Sequence, residues 1–186
     1  MRKNFGKKTW LYPMPVLIVT TYNADGTANA MNAAWGGVYD TDQIMLCLSA
    51  DHRTTENIRA RGSFTVSFAD AAHAAACDYV GLVSGNKTPD KLARAGFHTD
   101  PADTVDAPLI RELPLALECR LVKFNEDGIC IGDIVNVSAD ESILDEKGNI
   151  DSDKLDAIVF DSIRNLYRLV GGRVASAFEA GRRLLE

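Results

Sequence analysis

The apolar positions of the chain fall in short runs, several of them β-branched, separated by small polar turns. Residues 16–22 (VLIVTTY) read as a strand. Residues 23–26 (NADG) read as a turn, because Asn, Asp and Gly tolerate the backbone angles that a hairpin needs. The strand that returns then holds residues 29–40 (NAMNAAWGGVYD), with Gly36 and Gly37 allowing the chain to turn out of it. Residues 43–49 (QIMLCLS) and 63–69 (SFTVSFA) predict two further strands. Residues 115–124 and 129–139 predict a long β-hairpin around the turn NEDG. Between the strands lie helix signals. Thr54 can cap a helix that Gly62 ends, and the alanine-rich residues 70–79 read as a helix capped by Asp70. Thr88 as cap, Pro89 at the first helical position and Gly96 at the end predict a third, short helix. Residues 145–157 form a polar excursion, and residues 163–185, with five arginines, are expected to be partly helical. About six strands with helices inserted between them predict a mainly β fold, an antiparallel barrel rather than a doubly wound sheet.

Composition narrows the classes. A chain of 186 residues suits one domain, 1–186, and is long enough to bury roughly 70% of its unfolded surface. A net charge of −6 argues against non-specific binding to nucleic acid or an acidic membrane, and Arg2, Lys3, Lys7 and Lys8 read as a solvated tail. No run approaches the roughly 20 apolar residues of a membrane span. Pro13 and Pro15 break the first apolar stretch, so no secretory signal is expected and the expected location is the reducing cytoplasm. Cys47, Cys77, Cys119 and Cys130 form no C-x-x-C pair, and His52, His73 and His98 are far apart, so no metal site is expected from spacing.

The common catalytic signatures are missing. Residues 81–88 (GLVSGNKT) come near a phosphate-binding P-loop, but Asn86 stands where that loop needs glycine. There is no G-x-G-x-x-G for a Rossmann nicotinamide site and no G-x-S-x-G nucleophile elbow. Glu118, Asp133 and Asp161 cannot be paired from sequence, so no catalytic acid or base is named.

One ordered constellation remains: PMPVLIVTTYNADGTANAMNAAW, then HRTTENI, VSG, DK (Asp90 and Lys91), APLI, ALECRL, IGDIVNV and GGRVASAFEAG. In this order the set resembles the flavin reductase-like family, the FMN-binding split barrels that include flavoredoxins. The resemblance covers nearly the whole chain and is looser at residues 165–174 (NLYRLVGGRV). It implies a split β-barrel that binds FMN, usually as a homodimer with the flavin near the subunit interface. It places Asn29, Met31, Asn32, Ala33, Ala34 and Trp35 at the cofactor, with Arg53, Thr54, Thr55 and Asn57, and with Ser84, Gly85 and Lys91.

Physical reasons accompany that assignment. Small side chains at Asn32, Ala33 and Ala34 let a flat ring approach the main chain, and Asn29 and Asn32 can donate or accept at the ring or ribityl hydroxyls. Trp35 either stacks on the pocket or is a core anchor. Arg53 with Thr54, Thr55 and a helix start suits a phosphate; otherwise Thr54 only caps and Arg53 is solvated. Lys91 either sets positive charge near a reduced flavin or is one more exposed helix lysine. The implied function is electron or hydride transfer through the flavin N5, with NAD(P)H and a redox partner protein as expected exchange partners. The alternatives are free flavin as a substrate reduced by NAD(P)H for a partner oxygenase, and a flavin- or heme-binding module without turnover.

Overall fold

In the computed structural model, which describes residues 1–185, the first apolar run divides into a two-residue strand β1 (Met14–Pro15) and β2 (Leu17–Tyr22). The turn lies where its residues predict. The Gly26 N–H donates to the Asn23 carbonyl at 3.0 Å, with Gly26 at φ +83°, which a residue without Cβ adopts freely. β3 (Ala28–Ala33) then returns antiparallel to β2, from Tyr22 opposite Ala28 to Leu17 opposite Ala33.

The single strand expected over residues 29–40 is two strands. β3 stops at Ala33, the chain bends at Ala34–Trp35, and β4 (Gly36–Asp40) leaves to pair with β5 (Gln43–Cys47). The glycines do not make the exit turn; they open the next strand. A Cβ on Gly36 would stand 2.8 Å from Leu46 Cδ2 and 3.0 Å from Leu17 Cδ1, so close packing is what demands glycine there.

The remaining strands of this sheet are β6 (Ser63–Phe68), β9 (Leu115–Phe124) and β10 (Ile129–Ala139). The order is β3-β2-β6-β9-β10-β5-β4, antiparallel throughout. Its first and last strands are joined by only Ala34 and Trp35, so the sheet curls back on itself as a split barrel. The interior packs Leu17, Val19, Leu46, Phe64 and Val66. Helix α1 (Arg53–Arg61) closes one end with Ile58, and Asn57 Nδ2 pins it by donating to Thr21 Oγ1 and Asn23 Oδ1, both at 2.9 Å.

The other face of β2 and β6 is buried as well. Ile18, Ala30, Val80, Leu92, Phe97 and Ile110 form a second core beneath α2 (Ala74–Leu82), α3 (Lys91–Ala95) and the hairpin of β7 (Thr99–Pro101) and β8 (Pro108–Ile110). Burial on both faces explains why residues 16–19 read as a continuous apolar run instead of alternating.

Four element expectations are corrected. Thr88 is not the cap of α3, which starts at Lys91 with Asp90 in the cap position, so Pro89 lies before the helix and only the Gly96 end stands as expected. Thr54 is not the cap of α1: His52 holds that position, while Thr54 lies inside the first turn and is engaged by Asn29. The helix expected over residues 70–79 starts at Ala74, because the Asp70 carboxylate accepts the His73 N–H at 2.8 Å and holds residues 70–73 in a turn. The tail is largely not helical. β11 (Ile158–Asp161) and β12 (Leu166–Leu169) form a hairpin on β1, and among the described residues only a single 3-10 turn follows, at Arg182–Leu184. Asp161 makes that hairpin turn by accepting the N–H groups of Ile163 and Arg164. No helix among the described residues is long and apolar enough to cross a membrane.

Candidate functional site

β3 is an outer strand, so one of its edges offers main-chain N–H and C=O groups to a neighbour. Its side chains alternate. Asn29, Met31 and Ala33 face the barrel and α1, whereas Ala30 and Asn32 face α2. Asn29 Nδ2 donates to Thr54 Oγ1 at 2.9 Å, which ties β3 to the first turn of α1. Asn32 Nδ2 donates to the Cys77 carbonyl of α2 at 3.1 Å.

The segment after α2 closes on this edge. A Cβ on Gly81 would stand 2.8 Å from Asn32 Cβ, and one on Gly85 would stand 2.3 Å from Asn29 Oδ1. Both positions therefore require glycine. The result is a cleft of about 250 Å³ along β3, between the start of α1 and residues 80–85. Asn29, Met31, Asn32, Arg53, Thr54, Ser84, Gly85 and Lys91, eight residues expected at the cofactor, line it together.

The cleft is electropositive. Lys91 is only 3% exposed, so it is not a surface lysine of α3. Its Nζ donates to the Val80 and Val83 carbonyls, both at 3.1 Å, at the C-terminal end of α2 where cations are favoured. Burial lowers its pKa from 10.5 to about 8. Two of its three ammonium protons are thus committed among the described residues. Arg53 opens α1, with NH1 2.9 Å from Glu56 Oε2. The first N–H groups of α1 have no partner within the helix. His52 also lines the cleft, and its Nδ1 is buried without a hydrogen-bond partner among the described residues. A helix N-terminus, a guanidinium and an ammonium around one cleft suit an anion, and the β3 edge beside them suits a flat polar ring.

The other expected residues lie elsewhere. Ala33 packs in the barrel core. Thr55 Oγ1 donates to the Ser49 carbonyl at 2.8 Å, and Asn57 is 3% exposed with its amide committed to β2 and its turn. Ala34 and Trp35 border a second concavity of about 520 Å³, enclosed by residues 8–11 of the N-terminal arm and by β5. Trp35 is 58% exposed, so the core-anchor reading fails: the bend at Ala34–Trp35 turns the indole out of the barrel. Sequence reasoning missed His52, although it directly precedes Arg53, and it missed Gly81. Nothing local to the sequence marks Trp10, Met45 or Cys47 as sharing a concavity with Trp35. Among the described residues no group of three His, Cys, Asp or Glu is placed to hold a metal ion.

The curled seven-stranded antiparallel sheet is the split-barrel fold of the flavin reductase-like proteins. Residues 9–156 match the flavin reductase-like domain, and the chain belongs to that family. The structure is similar to flavoredoxin of Desulfovibrio vulgaris (Miyazaki F), with TM-score 0.93 and 37% identity over 97% of this chain and 100% of that one. It is also similar to flavoredoxin from Methanosarcina acetivorans, with TM-score 0.88 and 29% identity over 99% of each chain. An uncharacterised protein of Bacillus subtilis (strain 168) is 29% identical over 161 residues, 77% of each chain.

Proposed function

We propose that the protein is an FMN-binding oxidoreductase of the flavoredoxin type, moving electrons or hydride through a held flavin. The observation that carries this reading is the convergence of Arg53, Lys91 and the N-terminus of α1 on a cleft that runs along the outer strand β3. The residues present fit the cofactor. Arg53, Thr54 and the first N–H groups of α1 would hold the phosphate, with His52 lining the same cleft beside them. Asn29 and Ser84 would meet the ribityl hydroxyls, and the edge of β3 from Met31 towards Trp35 would face the ring. When bound, the isoalloxazine supplies the redox chemistry. The chain supplies binding and electrostatics: Lys91 holds positive charge beside the site, and Gly81 and Gly85 let the main chain close over it.

NAD(P)H as donor, a redox partner protein as acceptor, a homodimer as the working form and a cytoplasmic location belong to the same reading. All four cysteines are free thiols, which fits a reducing compartment.

The test is the phosphate. FMN and riboflavin differ only by that group, and a charge-assisted hydrogen bond contributes about 1.5–3 kcal/mol, so FMN should bind at least ~10-fold more tightly. Arg53→Ala should remove most of that preference and leave riboflavin affinity nearly unchanged, as read by quenching of flavin fluorescence. Equal loss for both flavins would make Arg53 structural. Flavin bands that survive desalting favour a held cofactor; a colourless protein that oxidises NADH only with added flavin favours flavin as substrate.

A further inference from the structure

We propose that Glu56 competes with the flavin phosphate for Arg53 and so sets how firmly the protein holds FMN. This role rests on the phosphate end of the function proposed above. Arg53 and Glu56 stand three residues apart at the start of α1, with NH1 2.9 Å from Oε2. That bridge is the only hydrogen bond of the Arg53 side chain among the described residues. The stem of Arg53 lies on the cleft wall, where a Cβ on Gly85 would stand 3.4 Å from the Cβ of Arg53. Glu56 does not line the cleft. The bridge therefore draws the guanidinium towards a carboxylate outside the cleft lining.

Both parts of the anion site meet the same carboxylate. Glu56 is the acidic residue of the first turn, where the positive end of the helix favours an anion. Its own N–H donates to the His52 carbonyl at 3.1 Å, so the amides left for a phosphate are those before it. A phosphate there shares the helix end and the guanidinium with Glu56. Asp25 also feels the Arg53 charge: its pKa is lowered, first by the Thr27 hydroxyl and amide and in smaller part by Arg53. Its Oδ1 is taken by that hydroxyl and that N–H, so Glu56 is the anion bonded to the guanidinium.

The balance favours the phosphate without making it tight. The two side chains are 33% and 62% exposed, and a bridge between exposed ions adds little to a fold, so it is readily given up. A phosphate monoester carries nearly two charges at neutral pH against the one of a carboxylate, and it accepts from several donors at once. Releasing Glu56 nonetheless subtracts from FMN binding and leaves a carboxylate near a dianion. Riboflavin has no phosphate and meets no such competition. Glu56 is thus a positioning residue that acts through Arg53, and it moves the site from a permanently held flavin towards an exchangeable one.

The test is a double-mutant cycle on FMN and riboflavin affinity, read by quenching of flavin fluorescence in wild type, Glu56→Gln, Arg53→Ala and the double variant. Glu56→Gln should tighten FMN about fivefold, the scale of an exposed ion pair, and leave riboflavin unchanged. In the Arg53→Ala background the same substitution should gain less than about twofold. Glu56→Asp, with a shorter reach to the guanidinium, should fall between wild type and Glu56→Gln. The melting temperature without flavin should hardly move, because the pair is exposed. Weaker FMN binding in Glu56→Gln would overturn the proposal, since Glu56 would then orient Arg53 for the phosphate. So would an equal gain in both backgrounds, which would mean that Glu56 acts on the phosphate directly, or an equal gain for riboflavin. Were no variant to bind flavin, inorganic phosphate decides, followed by the NMR amide shifts of residues 53–56. Tighter phosphate binding in Glu56→Gln than in wild type would keep the competition and remove the function proposed above; equal or absent binding would remove both.

Discussion

Lys91 carries a pH dependence whose sign is fixed by burial. Below pH 8 its ammonium is charged both in the folded chain and in the unfolded one, and the desolvation cost is fully present. Between about 8 and 10.5 the folded chain has lost a proton that the unfolded chain still holds, so this group's contribution makes stability rise with pH. Urea melts from pH 7.5 to 10 should show that rise in the wild type and not in Lys91→Met. An anion in the cleft acts in the opposite sense, since it favours the ammonium. FMN affinity should therefore fall above pH 8, by up to about tenfold per pH unit, with Lys91→Met flattening the profile in fluorescence titrations. Gly85 makes a second prediction at this scale. Its Cβ would displace Asn29 Oδ1, so Gly85→Ala should lower stability by about 1–3 kcal/mol and loosen FMN together with it.

Among the elements, α1 and the β7–β8 region are held by buried polar groups that titration and substitution can reach. Asn57→Ala removes both bonds that pin α1 to β2 and its turn, and should lower stability by about 1–3 kcal/mol. Because its amide is turned away from the cleft, FMN affinity should change far less than in Arg53→Ala. Glu118 is fully buried on β9 and accepts from the Thr104 N–H and hydroxyl and from Asn136 Nδ2. Burial raises its pKa, but those bonds outweigh it and leave the carboxyl below its ordinary value of 4.5. Its contribution is thus present above pH 4.5 and is lost as the pH falls from there towards the folded-state pKa. Acid melts of Glu118→Gln should lack that part of the wild-type loss.

These elements also mark what the sequence makes legible. β2, β6 and β10 are rich in β-branched residues, β5 and β9 are mainly apolar, all are bounded by turn residues, and they stand close to where the pattern sets them. The bend at Ala34–Trp35 carries no Gly or Pro of its own; it exists because β4 finds β5. The β11–β12 hairpin was illegible for a similar reason. Its residues mix Asp161, Arg164 and Arg168 with apolar ones, and its support is β1, at the other end of the chain. In the cleft, residue types pointed to Asn29, Arg53 and Lys91. The committed bonds that turn Thr55 and Asn57 away depend on partners no local pattern names.

On the scale of the whole molecule, the barrel leaves apolar side chains uncovered. Val38 is 80% exposed and Tyr39 stands beside it on β4, while Val122, Val135 and Val137 are exposed on β9 and β10. Scattered singly they would mean little, but Val122, Val135 and Val137 lie on the neighbouring strands β9 and β10, and an apolar face there suits a second copy of the chain. Light scattering at micromolar concentration should give about 40 kDa, twice the 20.2 kDa of one chain. Val137→Lys should shift the mass towards one chain without lowering the apo melting temperature. A monomeric wild type with bound FMN would end the dimer reading.

The sheet order has a further consequence, during synthesis. The β9–β10 hairpin inserts between β6 and β5, so it is the last piece of the ring to be translated. A nascent chain that has reached residue 114 can already form β2–β3 and β4–β5, yet two strand edges and the barrel lining still await partners. Those edges are open to pairing with another chain until residue 139 leaves the ribosome. Neighbouring chains on one polysome would present such half-rings to each other, and a pause in elongation between those two points would prolong their exposure.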